Sequence, residues 1–526
     1  MRPVFNSAQA RRADEIMQLE YGYLGVLLME TAGRRAAALI QKLYPQSQRF
    51  IVVAGGGNNG GDGLVIARYL RKAGKEIFIL LAKSPDKLSA LSRIQYDILT
   101  RFGVTCHILS PDNLRKLQAF AQTDPKPILI DALIGVGLSE KLNPVYASLI
   151  DFLRSLGLST VAVDLPSGLS GDTGALINEP LRCEHTITFQ TAKICHLVTP
   201  AALYCGKVHV VDIGMYSEVI ERIGTRTFWV SSRSIKRFLP ARPPDAHKGS
   251  FGHALIVGGS RGKGGAAALA TLAALRAGAG LATALIPGSA ASSFHRRTLS
   301  GMSLAYGDDN FPYLNQAAGI WAQSYLSDKA AVAFGPGLGN VPDTQAFLRE
   351  VLPRVKVPCI LDADALNILA SDETLLPLLP SQNCILTPHP GEAARLLRTN
   401  TEQVQARRLE SALHLAQRSG ALVLLKGANP IVATPKGDAY FFSLMEPSLA
   451  TAGTGDVLTG LIVGFLAQKV PPLQAALLAT MVQCIAARLL SRKSHPAALT
   501  AGILAQQIGR ALAILDQADT LCDRGS

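Results

Sequence analysis

Charge is scarce in this chain: Asp, Glu, Lys and Arg make up only 17% of 526 residues, while 48% are hydrophobic. An average soluble protein carries roughly 25% charged residues, so the composition excludes a disordered polyelectrolyte and describes compact globular material. Cysteine is equally sparse. The eight cysteines form no C-x-x-C pair and have no histidine at zinc spacing, which excludes a disulfide scaffold or zinc ribbon and leaves scattered thiols of a reducing compartment. Long basic runs are missing too. Lys plus Arg number 52 against 39 acidic residues, a net charge of +13, yet no run reaches five and no RNP-type aromatic stretch accompanies them. Nucleic acid is therefore not expected as a partner, and small anionic ligands are.

The start, Met1-Arg2-Pro3-Val4-Phe5-Asn6-Ser7, runs into Arg11-Arg12-Ala13-Asp14-Glu15 without an apolar core, so the expected location is the cytoplasm. One uncharged stretch, Val470 to Ala487, opens with Pro471-Pro472 and contains Gln474 and Gln483. That pattern suits a buried helix better than a membrane span, and no membrane partner is expected. Homo-oligomerisation is expected by analogy only.

Length alone implies two to four domains at roughly 150 residues each. Short runs rich in Val, Ile and Leu recur at Phe50 to Ala54, Ile77 to Ala82, Pro127 to Asp131, Thr160 to Asp164, Thr186 to Phe189 and Val208 to Asp212, with amphipathic segments between most of them. Continuous apolar runs alternating with helical patterns predict a parallel sheet covered on both faces, an α/β layer fold. Residues 7 to 42 read as helix, with Ser7 as cap. A second alternating series runs through Ala254 to Val257, Ala282 to Ile286, Ala331 to Phe334, Cys359 to Asp362, Cys384 to Thr387, Leu422 to Leu425 and a hairpin-like Pro430 to Phe442. Between the two series, Pro240-Ala241-Arg242-Pro243-Pro244 interrupts the pattern. The expected division is a domain over 1–225, a linker over 226–245 and a domain over 246–526.

In the first half, Gly55-Gly56-Gly57-Asn58-Asn59-Gly60-Gly61-Asp62-Gly63 follows a strand and opens a helix at about Leu64, so its backbone N–H groups can cradle phosphate. It satisfies G-x-G-x-x-G, but the next strand ends Ala82-Lys83-Ser84 without the acidic residue of a dinucleotide fingerprint, which weakens a dehydrogenase reading. A glycine-rich turn needing positive φ is the lesser alternative for the segment taken alone. Two further strand ends are polar: Asp131-Ala132-Leu133-Ile134-Gly135-Val136-Gly137 and Asp164-Leu165-Pro166-Ser167-Gly168. Such loops converge on one crevice in an open parallel sheet. Asn59, Asp131 and Ser167 can offer oxygens to a hard cation, leaving Asp164 for proton transfer.

In the second half, Ala452-Gly453-Thr454-Gly455-Asp456 precedes the apolar run Val457 to Leu466, placing glycine-rich N–H groups and a carboxylate at a helix start. Phosphoryl transfer needs little more than donors for developing charge and a base for the attacking hydroxyl; an aspartate that merely complements the helix dipole is the rival explanation. Its companions are Lys426-Gly427-Ala428, Gly335 to Gly339 and Thr387-Pro388-His389-Pro390-Gly391-Glu392. A P-loop is excluded, because Gly262-Lys263 lacks the glycine five residues earlier and Gly264 stands where Ser or Thr is required.

With Leu28-Met29-Glu30-Thr31-Ala32-Gly33 upstream, the Asn58 to Gly63, Asp131 to Gly137 and Asp164 to Gly168 loops resemble the NAD(P)H-hydrate epimerase family over about residues 1 to 220. The resemblance implies a Rossmann-like three-layer domain that interconverts the R and S hydrates and carries potassium at Asn59, Asp131 and Ser167. It implies hydrate contacts at Asn58, Asn59, Gly60, Gly61 and Asp62, at Gly135, Val136, Gly137, Leu138, Ser139, Glu140 and Lys141, and at Asp164 as acid/base. Val136 stands where the family usually carries a small hydroxyl residue or glycine. Lys248-Gly249-Ser250-Phe251-Gly252, Gly335 to Gly339, Asp362-Ala363-Asp364-Ala365-Leu366, Thr387 to Glu392 and Gly453 to Asp456 resemble the ADP-dependent NAD(P)H-hydrate dehydratase family over about residues 240 to 515. That likeness implies a ribokinase-like α/β fold, hydrate contacts at Ala266, Gly337, His389 and catalytic Asp456, nucleotide at Lys426, Gly427, Ala428, Asn429, Pro430 and Gly455, ADP as co-substrate and Mg²⁺ on its phosphates. Asn429-Pro430 stands where many relatives have Thr. Together the halves imply metabolite repair: epimerisation of damaged NAD(P)H followed by dehydration of the S form, giving AMP and phosphate. A ribokinase-like small-molecule kinase is the alternative, distinguished by retention of a phosphorylated product.

Overall fold

The computed structural model describes residues 1–137, 142–380 and 383–517. The chain forms two compact units, Arg2–Trp229 and Val230–Ser526, with Met1 packed in the second. The first contains β1 (Arg2–Phe5), β2 (Arg49–Ala54), β3 (Glu76–Leu81), β4 (Cys106–Ile108), β5 (Ile128–Ala132), β6 (Thr160–Val163), β7 (His185–Phe189), β8 (Ala192–Lys193), β9 (Lys207–Val211) and β10 (Thr227–Val230). Seven of them form a sheet in the order β4-β3-β2-β5-β6-β7-β9, every pairing parallel. Separately, β1 pairs antiparallel with β10 and parallel with β8.

Because side chains alternate across a strand, β2 feeds two apolar layers. Phe50, Val52 and Ala54 pack with Ala36, Ile40, Leu64 and Leu70 of helices Gly25–Leu43 and Asn58–Lys72. Ile51 and Val53 pack with Leu117, Leu149 and Leu153 of helices Pro111–Ala121 and Pro144–Ser155. This is the expected three-layer arrangement. Strand order reverses at β2, which has β3 on one side and β5 on the other, and ligand crevices form outside the carboxyl ends of strands at such a point.

The second unit contains β11 (His253–Val257), β12 (Leu281–Pro287), β13 (Met302–Tyr306), β14 (Ala331–Phe334), β15 (Cys359–Leu361), β16 (Cys384–Leu386), β17 (Leu422–Leu425), β18 (Ile431–Ala433) and β19 (Ala439–Phe442). Their order is β13-β12-β11-β14-β15-β16-β17-β18-β19. The pairings are parallel from β13 to β17, and β17, β18 and β19 form an antiparallel meander. Here the order reverses at β11. Helix Thr454–Ala467, with twelve of fourteen residues buried, lies against helix Gly264–Arg276. The uncharged stretch forms helix Pro472–Ser491, long and apolar enough to cross a membrane, but with twelve residues buried in the core.

Several expectations need correction. Residues 7 to 42 form two helices, Ser7–Leu19 and Gly25–Leu43. The first is capped by Asn6 in a reciprocal box with Gln9, while the Ser7 hydroxyl donates to Asp172 instead at 2.7 Å. The helix after β2 starts at Asn58, not Leu64, so the glycine segment belongs largely to its first turn. The division between units falls at 229/230. Much of 226–245 is structured: β10 pairs with β1, and Ile235, on helix Ser232–Ile235, is fully buried in the core of the second unit.

Candidate active sites

In the first unit a cavity of about 580 Å³ opens at the strand-order reversal, bounded by the loops after β2, β5 and β6 and by helix Ser7–Leu19. The loops after β2 and β5 touch through backbone: a methyl at Gly55 would lie 1.9 Å from the Leu133 carbonyl oxygen, so only glycine permits the contact. Asp164, just after β6, takes φ +66°, in the left-handed region that non-glycine residues enter uncommonly. Its carboxylate accepts from Lys193 Nζ at 2.7 Å and the Thr188 hydroxyl at 2.9 Å, and its carbonyl lies 2.9 Å from His196 Nε2. Burial pushes the carboxyl up, but the Lys193 ammonium and the hydrogen bonds outweigh it and hold Asp164 below the usual carboxylate range. His196, desolvated beside Lys193, is pushed down to about 4 and is neutral.

Two more carboxyls, Asp14 and Asp62, line this cavity. Burial first, then the negative Asp164, drives Asp62 well above its ordinary value; burial raises Asp14 to about 6 although Lys193 opposes it. Deeper, Asp131 is fully buried. It accepts from the Ser167 amide at 2.8 Å, the Ser167 hydroxyl at 2.6 Å and the Leu133 amide at 3.2 Å. The Asn59 side chain abuts Gly135, whose methyl would lie 3.1 Å from Asn59 Cγ, and both amide atoms of Asn59 are buried without a partner. Such orphaned atoms cost free energy unless a ligand, ion or water meets them.

In the second unit the loops after β14, β15, β16 and β17 meet the start of helix Thr454–Ala467. A methyl at Gly335 would lie 1.8 Å from the Asp362 carbonyl oxygen, again a backbone contact that only glycine allows. Asp362 accepts from Lys426 Nζ at 2.7 Å, Thr459 Oγ1 at 2.7 Å and Thr387 Oγ1 at 2.9 Å. Burial raises this carboxyl, and Lys426 with the two hydroxyls brings it below its ordinary value. Among the described residues Asp456 has no such hydrogen-bond partner. Burial, then the neighbouring Asp362, pushes it up to about 7. Glu392 reaches about 7 through burial as well, 3.8 Å from Lys426 Nζ, and caps its helix by accepting from the His389 amide at 2.8 Å. Gly455 completes the cluster: a methyl there would lie 3.6 Å from Lys426 Nζ and 3.8 Å from Asp362 Oδ2. Two carboxyls titrating near neutrality beside a largely covered lysine suit general acid–base work.

The family model described as NAD(P)H-hydrate dehydratase matches residues 254–510, and that described as YjeF-related protein N-terminus matches residues 26–195. The bifunctional NAD(P)H-hydrate repair enzyme Nnr of Moorella thermoacetica is 34% identical over 95% of this chain and 94% of its own. The chain belongs to the bifunctional NAD(P)H-hydrate repair family. The repair enzyme Nnr of Salinibacter ruber is 36% identical over 97% of this chain and 96% of its own. Among solved structures, the ADP/ATP-dependent NAD(P)H-hydrate dehydratase from Bacillus subtilis, co-crystallised with ATP and Mg²⁺, matches 55% of this chain and 98% of its own at 28% identity and TM-score 0.47.

Of the residues singled out by resemblance to the repair family, Asn58, Asn59, Asp62, Gly135, Val136, Gly137 and Asp164 line the first cavity, with Gly60 and Gly61 buried in the helix behind it. Leu138, Ser139, Glu140 and Lys141 lie outside the described residues. Val136 packs on the apolar cluster of Leu165, Leu169 and Cys195, which accounts for an aliphatic side chain there. In the second unit Ala266 meets Gly337, a methyl at the latter lying 3.1 Å from Ala266 Cβ. Two of the expected nucleotide residues turn inward: Asn429 is 1% exposed, its Oδ1 accepting from the Leu444 amide at 2.9 Å, and Pro430 is buried. Gly427 and Ala428 remain exposed. Sequence reasoning gave no role to Asp14, Lys193 or Asp362. Lys193 had one signal, a lone cation in the apolar run Ala192 to Leu197, since lysine is almost never fully buried unless paired.

Proposed function

We propose that the first cavity is where R- and S-NAD(P)H-hydrate interconvert and the second crevice is where the S form is dehydrated to NAD(P)H at the expense of ADP. The observation that carries this reading is the presence in one chain of two strand-order reversals, each holding a Lys–Asp ion pair with a buried aspartate beside further carboxyls. In the first, Asp164, kept ionised by Lys193, takes a proton from the hydroxyl-bearing carbon's water or hydroxyl. In the second, Asp456 takes the hydrate's hydroxyl proton as that oxygen attacks the terminal phosphate of ADP and AMP departs. The ring nitrogen then expels the new phosphate ester as phosphate, and the adjacent ring carbon gives up a proton. A base titrating near 7 matches that task at neutral pH. Lys426 with the exposed Gly427 and Ala428 would meet the nucleotide's phosphates, and Ala266, Gly337 and His389 the hydrate.

Potassium fits the first unit: the partnerless Asn59 amide, set against Gly135, and the buried Asp131–Ser167 pair, which accepts from the adjacent Ile134 amide, offer oxygen ligands and a buried carboxyl. When bound it would supply a fixed positive charge at the carboxyl ends of β2 and β5. Mg²⁺ fits the second unit as a partner of the nucleotide. Among the described residues no three His, Cys, Asp or Glu side chains form a metal cluster, and Mg²⁺ commonly keeps its waters and sits on substrate phosphates.

The test follows NADH absorbance from a mixture of R and S hydrates with ADP, ATP or no nucleotide, for the native chain, Asp164→Asn and Asp456→Asn. Recovery of the whole mixture by the native chain, of only the S fraction promptly by Asp164→Asn and of none by Asp456→Asn is expected. No return of NADH with either nucleotide refutes the reading.

A further inference from the structure

Moving a hydroxyl from one face of a ring carbon to the other needs a proton delivered to the departing oxygen and another removed from the arriving one. Asp164 serves only half of this. It is ion-paired and ionised, so it can accept a proton but has none to give. The cavity holds three carboxyls, Asp14, Asp62 and Asp164, and the buried Lys193 is ion-paired to Asp164 alone. Asp14 and Asp62 accept no side-chain hydrogen bond from a described residue, unlike Asp164, which accepts two. Three ionised carboxyls beside one paired lysine are opposed by burial. Burial therefore favours the protonated form of the two unpaired groups, for Asp14 up to about pH 6.

Asp62 belongs to the same helix start as the loop already assigned to the hydrate. Asp14 comes from a separate element, helix Ser7–Leu19, whose Ala10, Ala13 and Gln18 also line the cavity. Its charged surroundings are Lys193, Asp164, Asp62 and Glu15, with Arg11 and Lys83 on the cavity wall and the neutral His196 behind Lys193. We infer that Asp14 is the proton donor that works with Asp164 across the hydrate carbon. This rests on the epimerase reading of the cavity.

The step balances. Asp14 gives its proton to the hydroxyl oxygen, the carbon–oxygen bond breaks with its electrons going to that oxygen, and water leaves while the ring nitrogen's lone pair forms the carbon–nitrogen double bond. Water then adds to the other face, its oxygen supplying the electrons of the new bond, the nitrogen recovering its pair and Asp164 taking the released proton. Return of that proton to Asp14 resets the site. Asp14 titrates near 6, so turnover should fall as pH rises past that value.

The experiment compares the native full-length chain with Asp14→Asn, Asp14→Glu and Asp164→Asn, measuring epimer exchange of NADH-hydrate from pH 5 to 9 after subtraction of the enzyme-free rate. The circular dichroism spectrum and denaturant midpoint of each variant serve as the folding control for the first unit, and prompt ADP-driven recovery of the S fraction as the check that the second unit is intact. The expected result is a kcat reduced about 100- to 10,000-fold in Asp14→Asn with KM within threefold, loss of the descending limb near pH 6, and partial rescue in Asp14→Glu. A change under threefold in kcat, or a fall in kcat with the limb retained, overturns the assignment. Full exchange by Asp164→Asn would instead overturn the epimerase reading itself.

Discussion

The two units solve the same electrostatic problem in opposite ways. Each sets a buried aspartate against a lysine with a 2.7 Å contact, Lys193–Asp164 in the first and Lys426–Asp362 in the second, and each supports the aspartate with threonine hydroxyls. In the first unit the paired aspartate is itself the proposed catalyst, so the lysine fixes it in its ionised form. In the second, burial first and then the paired Asp362 raise the neighbouring Asp456 toward neutrality, and the proposed catalyst is the carboxyl left unpaired. A buried ion pair can therefore either hold a base ready or set the charge against which another base titrates.

The comparison breaks most sharply at the catalysts. Asp164→Asn should lower epimer exchange and Asp456→Asn the ADP-driven return of NADH, each by about 100- to 10,000-fold and each with no effect on the other activity; separate assays of the two steps check this, and cross-talk would merge the sites. Next come the lysines. Lys193→Met and Lys426→Met each strand a buried carboxylate, which costs about 3–5 kcal/mol, read as a lower denaturant midpoint. The functional signatures should differ: Lys193→Met lets the Asp164 carboxyl rise and suppresses exchange at neutral pH, whereas Lys426→Met removes an influence that lowers Asp456 and moves the dehydration profile to higher pH.

A smaller effect is expected in the native chain. Asp456, the proposed base, is raised to about 7, so dehydration should climb with pH and level off above 7, losing about tenfold for each unit below it. Initial rates from pH 5 to 8.5 check this, and a plateau already reached at pH 5 would remove Asp456 as the base. Smallest is the surface control. Arg115–Asp112 has a 2.8 Å contact, but both side chains are more than 75% exposed, so Arg115→Ala should change stability by under about 1 kcal/mol.

Much of this was legible in the sequence. Continuous Val, Ile and Leu runs marked the central strands of both sheets because strands buried on both faces need no polar alternation. The edge strands Cys106–Ile108 and Met302–Tyr306 escaped, being short or only half buried and mixed in composition. At the sites, glycine-rich loops marked where backbone approaches backbone. Asp14, Lys193 and Asp362 gained their importance from residues 29 to 179 positions away, and nothing local announces a partner that distant. Asn429 shows the converse: it was expected among the nucleotide residues by resemblance alone, and its Oδ1 is taken up by the Leu444 amide fifteen positions on.

The packing of helix Thr454–Ala467 on helix Gly264–Arg276 has a mechanical meaning. Methyl groups at Gly460 and Gly464 would lie 2.2 and 2.7 Å from the carbonyl oxygens of Ala270 and Ala274. The two helices are thus clamped backbone to backbone one and two turns beyond Asp456, and the carboxyl rides on the tip of a rod that neither slides nor rolls. Precision at the reacting oxygen is in this sense stored remotely, in two absent methyl groups, and any side chain inserted there would shift the tip without touching the crevice.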